Sequence, residues 1–171
     1  MHLGELVNPD IKKLRNPLKV IKHTTVLIPE HYFQFFLPGH KADKFFEGNT
    51  ILLSWKPHGD IDTYHQFSLY LASRDKLFPY SSPLWLRSNG AIPTRSWFIN
   101  CLHSFFTKNI AGQSLRAGGA TRLAETGSPP SLIQAIGRWS SESYRIYIRK
   151  NPIIIQAMLF ARQNDPTLPA L

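Results

Sequence analysis

Three short stretches rich in β-branched and aromatic residues, HTTVLIP, HYFQFFLP and NTILLSW, follow one another between His23 and Trp55. Proline, glycine and aspartate separate them, so they are predicted to be the strands of a small antiparallel meander. GHKADKFFEG, between the last two, reads as a hairpin turn carrying lysines. Beyond it the period changes. DTYHQFSLYLASRDKLF has apolar residues near helical spacing, with Asp62 or Thr63 as its cap. SSPLWLRSNGAIPTRSWFINCLHSFFTK predicts a short extended piece, a turn at Asn89 and Gly90, and a helix capped at Thr94 or Ser96. A helix is expected over residues 114–125, ended by Gly127. Pro129 and Pro130 open the next, since a helix tolerates proline in its first turn, and that helix stops near Gly137. Ser140 and Ser141 cap a further predicted helix, ESYRIYIRK, and Pro152 sets off a last apolar one, IIIQAMLFAR. At the other end HLGELV reads as a short helix end or turn leading into the basic run IKKLRNPLKVIK. Strands come first and helices follow, which is an α+β pattern: a small antiparallel β-meander followed by a helical bundle.

Composition narrows what such a fold can do. The chain has 171 residues, 43% of them hydrophobic, which suits one domain with a real core. Mean hydropathy is −0.20, and the most apolar runs, TTVLIPEHYFQFFLP and NPIIIQAMLF, are too short or too interrupted to span a bilayer. MHLGELVNPDIKK has no apolar core of the secretory kind. The single cysteine, Cys101, rules out a disulfide within the chain and a zinc cluster built on cysteines, and it suits a reducing intracellular compartment. Twenty Lys and Arg stand against eleven acids, a net charge of +9. Such a field attracts polyanions, and nucleic acid is the commonest partner for this profile. The alternative on charge alone is a basic but inert surface.

The densest chemistry lies in GQSLRAGGATRLAETGSPPSLIQAIGRWSSESYRIYIRK, residues 112–150. Arg116 sits just inside a helix start beside Gly118 and Gly119. A helix start favours anions, and glycines allow another backbone to come close. An Arg138–Trp139 pair follows, then Tyr144 and Tyr147, three apart on one helical face. Together with HLGEL and GHKADKFFEG, this stretch resembles the catalytic domain of tyrosine recombinases, the DNA breaking–rejoining enzymes of phage integrases and mobile elements. GRWSS in place of GHSS is closer to the mobile-element (Crypton-like) type. The boxes stand in the family's order from residue 1 to about residue 150.

The resemblance implies a reaction of DNA recombination and integration that uses neither metal nor small-molecule cofactor. A tyrosine hydroxyl attacks a scissile phosphate of double-stranded DNA, forms a 3′-phosphotyrosyl bond and releases a 5′-hydroxyl; a 5′-hydroxyl from another strand later attacks the phosphotyrosine. By position, Tyr147 is the implied nucleophile, eight residues after Trp139, with Tyr144 as the second candidate. Packing on an amphipathic helix is the structural alternative for both. Arg116 is the implied clamp on the phosphate oxygens, because a guanidinium grips two at once. Trp139 takes the histidine-or-tryptophan position, where its indole N–H can donate, although a core tryptophan has the same look. Lys41 is the implied general acid toward the leaving oxygen, with Lys44 as a fallback and DNA contact. His40 beside it reads as a surface residue. Arg138 and Arg145 are the further candidate DNA contacts.

Two positions depart from the family pattern. The first-box arginine is His2, too short to clamp bidentately, and the histidine of the H-x-x-R box is Gln113, which donates a hydrogen bond but does not shuttle a proton. Loss of one preorganised donor commonly lowers the rate on the order of 10²–10³-fold. The chain also begins within the first box, so a truncated catalytic domain over residues 1–161 is expected, with residues 162–171 as a disordered tail. The apolar helix after Pro152 packs either on its own domain or on a neighbouring protomer, so a homo-oligomer on DNA is compatible with the resemblance. A nuclear location is implied by the mobile-element likeness alone.

Overall fold

The computed structural model describes residues 3–39, 47–54 and 62–139. The chain forms two compact units, one spanning Leu3–Phe105 and one holding the described residues 106–139. Among the described residues the architecture is α+β, with a two-stranded sheet and five helices.

In the first unit, β1 (Tyr32–Leu37) and β2 (Asn49–Ser54) pair antiparallel, with Phe35 opposite Ile51 and Leu37 opposite Asn49. Side chains alternate across a strand, so Phe33, Phe35 and Leu37 all point into the core. The segment carrying Lys41 and Lys44 connects these two paired strands; its residues 40–46 lie outside the described ones. A short helix, α1 (Leu3–Leu6), occupies the HLGEL stretch.

The predicted meander loses its first strand. HTTVLIP forms one turn of 3-10 helix at His23–Thr25, and only Leu27 reaches the sheet, exchanging two backbone hydrogen bonds with Gln34 at 3.0 and 2.9 Å. The cause is local. The Thr25 hydroxyl donates to the Lys22 carbonyl at 2.7 Å and accepts from the Phe36 N–H at 3.2 Å, where a strand carbonyl would otherwise sit. Short hydroxyl side chains compete with ladders in this way, and Pro29 has no N–H with which to continue one.

α2 (Thr63–Leu77) starts at Asp62, whose carboxylate accepts the His65 N–H at 3.0 Å. It lays Phe67 and Leu71 on the sheet, and with Ile21, Phe33, Phe35, Leu37 and Leu84 they make the main core. Phe33 and Phe67 stack with centroids 4.0 Å apart, and Trp85 meets Phe67 edge-on at 5.7 Å. The Tyr70 hydroxyl donates to the Leu84 carbonyl at 2.8 Å and accepts from the Leu86 N–H at 2.7 Å, so it pins the extended piece 84–86. Burial pushes that phenol above its ordinary pKa. Arg74 is only 3% exposed. Its guanidinium is committed to the Asp75 carboxylate at 2.6 Å and to the carbonyls of Phe78 at 3.3 Å, Pro83 at 2.9 Å and Ser81. A buried charge needs such partners. α3 (Arg95–His103) is capped by Thr94. Asp10 is drawn to the same helix start, accepting from the Ser96 N–H at 3.2 Å and from the Ser96 hydroxyl. These bonds hold its carboxyl below the usual range.

The second unit is a helical hairpin. α4 (Gly112–Glu125) begins two residues ahead of Ser114, because the Ser114 hydroxyl accepts the Ala111 N–H at 3.0 Å from inside the first turn. α5 (Pro130–Gly137) follows, with Pro130 in its first turn as expected. Ala120 and Ala124, four apart on α4, bury against the fully buried Ile133 of α5. Gly118 and Gly119 are exposed instead, and a Cβ built on either would meet nothing within 4 Å. The close backbone approach anticipated for them is therefore not used among the described residues.

Candidate functional site

Both helices of the hairpin end in the same hydrogen-bonded turn. After α4, Gly127 takes φ +77°, its N–H bonding the Ala124 carbonyl at 3.0 Å while the Ser128 N–H bonds Leu123 at 3.0 Å. After α5, Arg138 takes φ +52°, its N–H bonding Ala135 at 3.0 Å while the Trp139 N–H bonds Gln134 at 3.1 Å. This pair of bonds is the Schellman arrangement, which turns the chain back over the last helical turn.

The reversal at Arg138 lays the Trp139 ring on Gly137. A Cβ at position 137 would collide with the six-membered part of the indole, so glycine is what allows the ring to lie there. Gln134 steadies the same residue, its side-chain amide donating to the Trp139 carbonyl at 3.3 Å. On the ring sits the half-buried side chain of Arg116, its guanidinium carbon 4.2 Å from the ring centroid. That distance is within cation–π range. The same guanidinium donates to the Gly137 carbonyl. Two sequence-predicted site residues, 23 positions apart, thus meet at one point, and the end of α5 orients the guanidinium on the second turn of α4.

Gln113 lies exposed one turn before Arg116, on the same face of α4. Arg138 is half-buried in its left-handed turn. His2, Lys41, Lys44, Tyr144, Arg145 and Tyr147 lie outside the described residues. Among the described residues, no group of three or more His, Cys, Asp or Glu side chains is placed to hold a metal ion, and no helix is long and apolar enough to cross a membrane.

The reading from sequence passed over Gly137 and Gln134, although a glycine two places before a tryptophan is a usable sign of a ring folded back onto backbone. It also passed over Arg74, which occupies the same stripe of α2 as Phe67 and Leu71, at spacings of four and three. An arginine on a core stripe signals a buried structural cation.

No protein-family model matches the chain, and no curated protein matches it in sequence. Solved structures do match in fold. XerH site-specific recombinase, in a post-cleavage complex bound to palindromic difH substrate, superposes with a TM-score of 0.54 at 18% identity, over 94% of this chain and 43% of that one. The same recombinase in a pre-cleavage complex with difH substrate gives 0.52 at 18% identity, over 92% and 44%. The chain thus spans less than half the length of the structures it matches, and the likeness is one of fold, a recombinase-like α+β fold.

Proposed function

We propose that residues 1–161 carry part of a tyrosine-recombinase catalytic domain, which binds double-stranded DNA at a scissile phosphate and breaks and rejoins a strand there. The observation that carries this reading is the Arg116 guanidinium held on the Trp139 ring and the Gly137 carbonyl, in a chain whose fold is similar to that of a site-specific recombinase solved with its substrate. A guanidinium whose plane is already set loses little freedom when it grips phosphate oxygens. Such preorganised donors act on the charge that builds up in the transition state.

In this mechanism the Tyr147 hydroxyl gives up its proton to water and its oxygen bonds to phosphorus. The phosphorus–5′-oxygen bond breaks, and Lys41 delivers a proton to the departing oxygen. Arg116 and the Trp139 indole bear on the non-bridging oxygens of the pentavalent phosphorus. Reversal by the 5′-hydroxyl of another strand restores a phosphodiester and frees the tyrosine. Bond energy is conserved, so neither metal nor nucleotide is needed. Arg138, Arg145 and Lys44 are assigned to the DNA backbone. The mobile-element type, with its nuclear location, belongs to the same proposal and rests on the GRWSS box, whereas a homo-oligomer on DNA rests on the apolar stretch after Pro152.

A second reading, a DNA-binding remnant with impaired cleavage, is favoured by specific residues. Gln113 stands where a proton-transferring histidine is expected and His2 where a clamping arginine is expected. The test is a nicked suicide duplex incubated with the protein and resolved on a denaturing gel. Active recombination chemistry gives a covalent protein–DNA adduct, lost in Tyr147→Phe and kept in Tyr144→Phe. Absence of an adduct, with salt-sensitive duplex binding retained, selects the remnant. A flat salt response of binding overturns both.

A further inference from the structure

Residues 11–29 contain Lys12, Lys13, Arg15, Lys19 and Lys22 and no acidic residue, so they supply five of the nine excess positive charges of the whole chain. A charge run is commonly just solvated, and it becomes a binding surface when the backbone holds the charges in place. This one is held at several points. Lys12–Leu14 and Pro17–Lys19 are turns of 3-10 helix, closed by bonds from the Arg15 N–H to Lys12 at 3.1 Å and from the Val20 N–H to Pro17 at 3.2 Å. Asn16 caps the second turn through the Leu18 N–H at 2.9 Å. Ile21 is buried, and its carbonyl accepts the Leu84 N–H at 2.8 Å, while the His23 N–H bonds Ser82 at 2.8 Å. Arg15 folds back onto the carbonyls of Pro9 and Asp10 at 3.0 and 3.3 Å and acts as an internal clamp. Lys12, Lys13, Lys19 and Lys22 remain exposed.

From Lys12 to Lys22 the strip spans ten residue-to-residue steps, between about 20 Å if wholly 3-10 and about 33 Å if wholly extended. A DNA strand presents a phosphate about every 3.4 Å of duplex axis, so the strip is long enough to face several in succession. Lysines are mobile point charges without arginine's planar fork, so they suit sequence-independent contact with a backbone more than readout of base edges. We infer that Lys12, Lys13, Lys19 and Lys22 form a second, non-specific contact with the phosphate backbone of duplex DNA, separate from the Arg116 cluster. This rests on the DNA reading above and adds to it a surface that contributes affinity and no chemistry.

The test uses the full chain and a fluorescent duplex of about 25 base pairs, with affinity followed from roughly 50 to 200 mM salt. Each phosphate contact contributes about 0.9 to the slope of log affinity on log salt. The quadruple Lys→Gln variant at 12, 13, 19 and 22 should lose about 3–4 from that slope, and the quadruple Lys→Arg variant should keep it, with circular dichroism showing both folded. If wild type binds with a steep slope and the Gln variant matches it, the strip is overturned while the Arg116 reading stands. If wild type shows no salt-dependent binding, both fall. Leu14 and Leu18, exposed among these lysines, line two adjoining surface grooves, so anionic phosphatidylserine vesicles form a second arm. A Gln variant that loses vesicle binding but keeps its DNA slope assigns the strip to lipid and overturns the proposal.

Discussion

The two ends of the helical hairpin make the same turn with different residues. After α4 the left-handed position is Gly127, which reaches φ +77° without steric penalty. After α5 the equivalent position is Arg138 at φ +52°, where an L side chain costs roughly 1–2 kcal/mol. The first end leads into Ser128 and the prolines of the next helix. The second delivers Trp139 onto Gly137 and beneath Arg116. Where the turn only connects, glycine makes it. Where it builds the candidate site, the strained residue is a cation at the edge of that site. Strain of this kind gathers at functional positions, and here the observed outlier leads to the hypothesis.

The largest expected effect in this comparison comes from removing what both turns rest on. Ile133 is fully buried between Ala120 and Ala124, and Ile133→Ala should destabilise the hairpin by about 2–5 kcal/mol, read as a lower urea midpoint. A loss under about 1 kcal/mol would mean the hairpin is held by something other than this packing. Gly137→Ala comes next. Its methyl would meet the indole, so either the ring leaves Arg116 or the helix end shifts, at about 1–3 kcal/mol. An altered tryptophan emission spectrum and weaker duplex binding should accompany it. Unchanged emission and affinity would show that the ring position does not matter. Gly127→Ala tests the other end: a Cβ there has open space around it, so only the backbone penalty applies. We expect a loss of about 1 kcal/mol with duplex affinity unaltered.

Much of the fold was readable from composition and spacing, and the reasons differ from residue to residue. Gly127, Pro130, Asp62 and Thr94 act through their own backbone or through bonds to residues within one turn, so their effect is local and the sequence displays it. The missing first strand depended on the Thr25 hydroxyl meeting the Phe36 N–H eleven residues away, a choice that only the packed structure makes. Arg74 could have been read from its place on the apolar stripe and from Asp75 beside it, but its other partners, the carbonyls of Phe78, Ser81 and Pro83, are backbone atoms with no signature in residue type. Arg116 and Trp139 were paired by resemblance alone, since nothing in periodicity joins residues so far apart. What physically joins them is Gly137, and that could have been read.

The smallest effect in stability is the most telling. Arg138→Gly removes the Cβ from the left-handed position but adds freedom to the unfolded chain. The net expectation is a gain of about 0.5–1 kcal/mol, a small rise in the urea midpoint. If the arginine is kept for DNA, the same variant should bind duplex more weakly, with the salt slope lower by about 0.9. Arg138→Lys should preserve the slope and leave the strain in place. Stability and affinity would then move in opposite directions at one residue, whereas at Gly127 only stability moves. A glycine variant that is more stable and binds duplex with an unaltered slope would strip the two ends of their functional difference, leaving Arg138 as a strained cap with no part in the site.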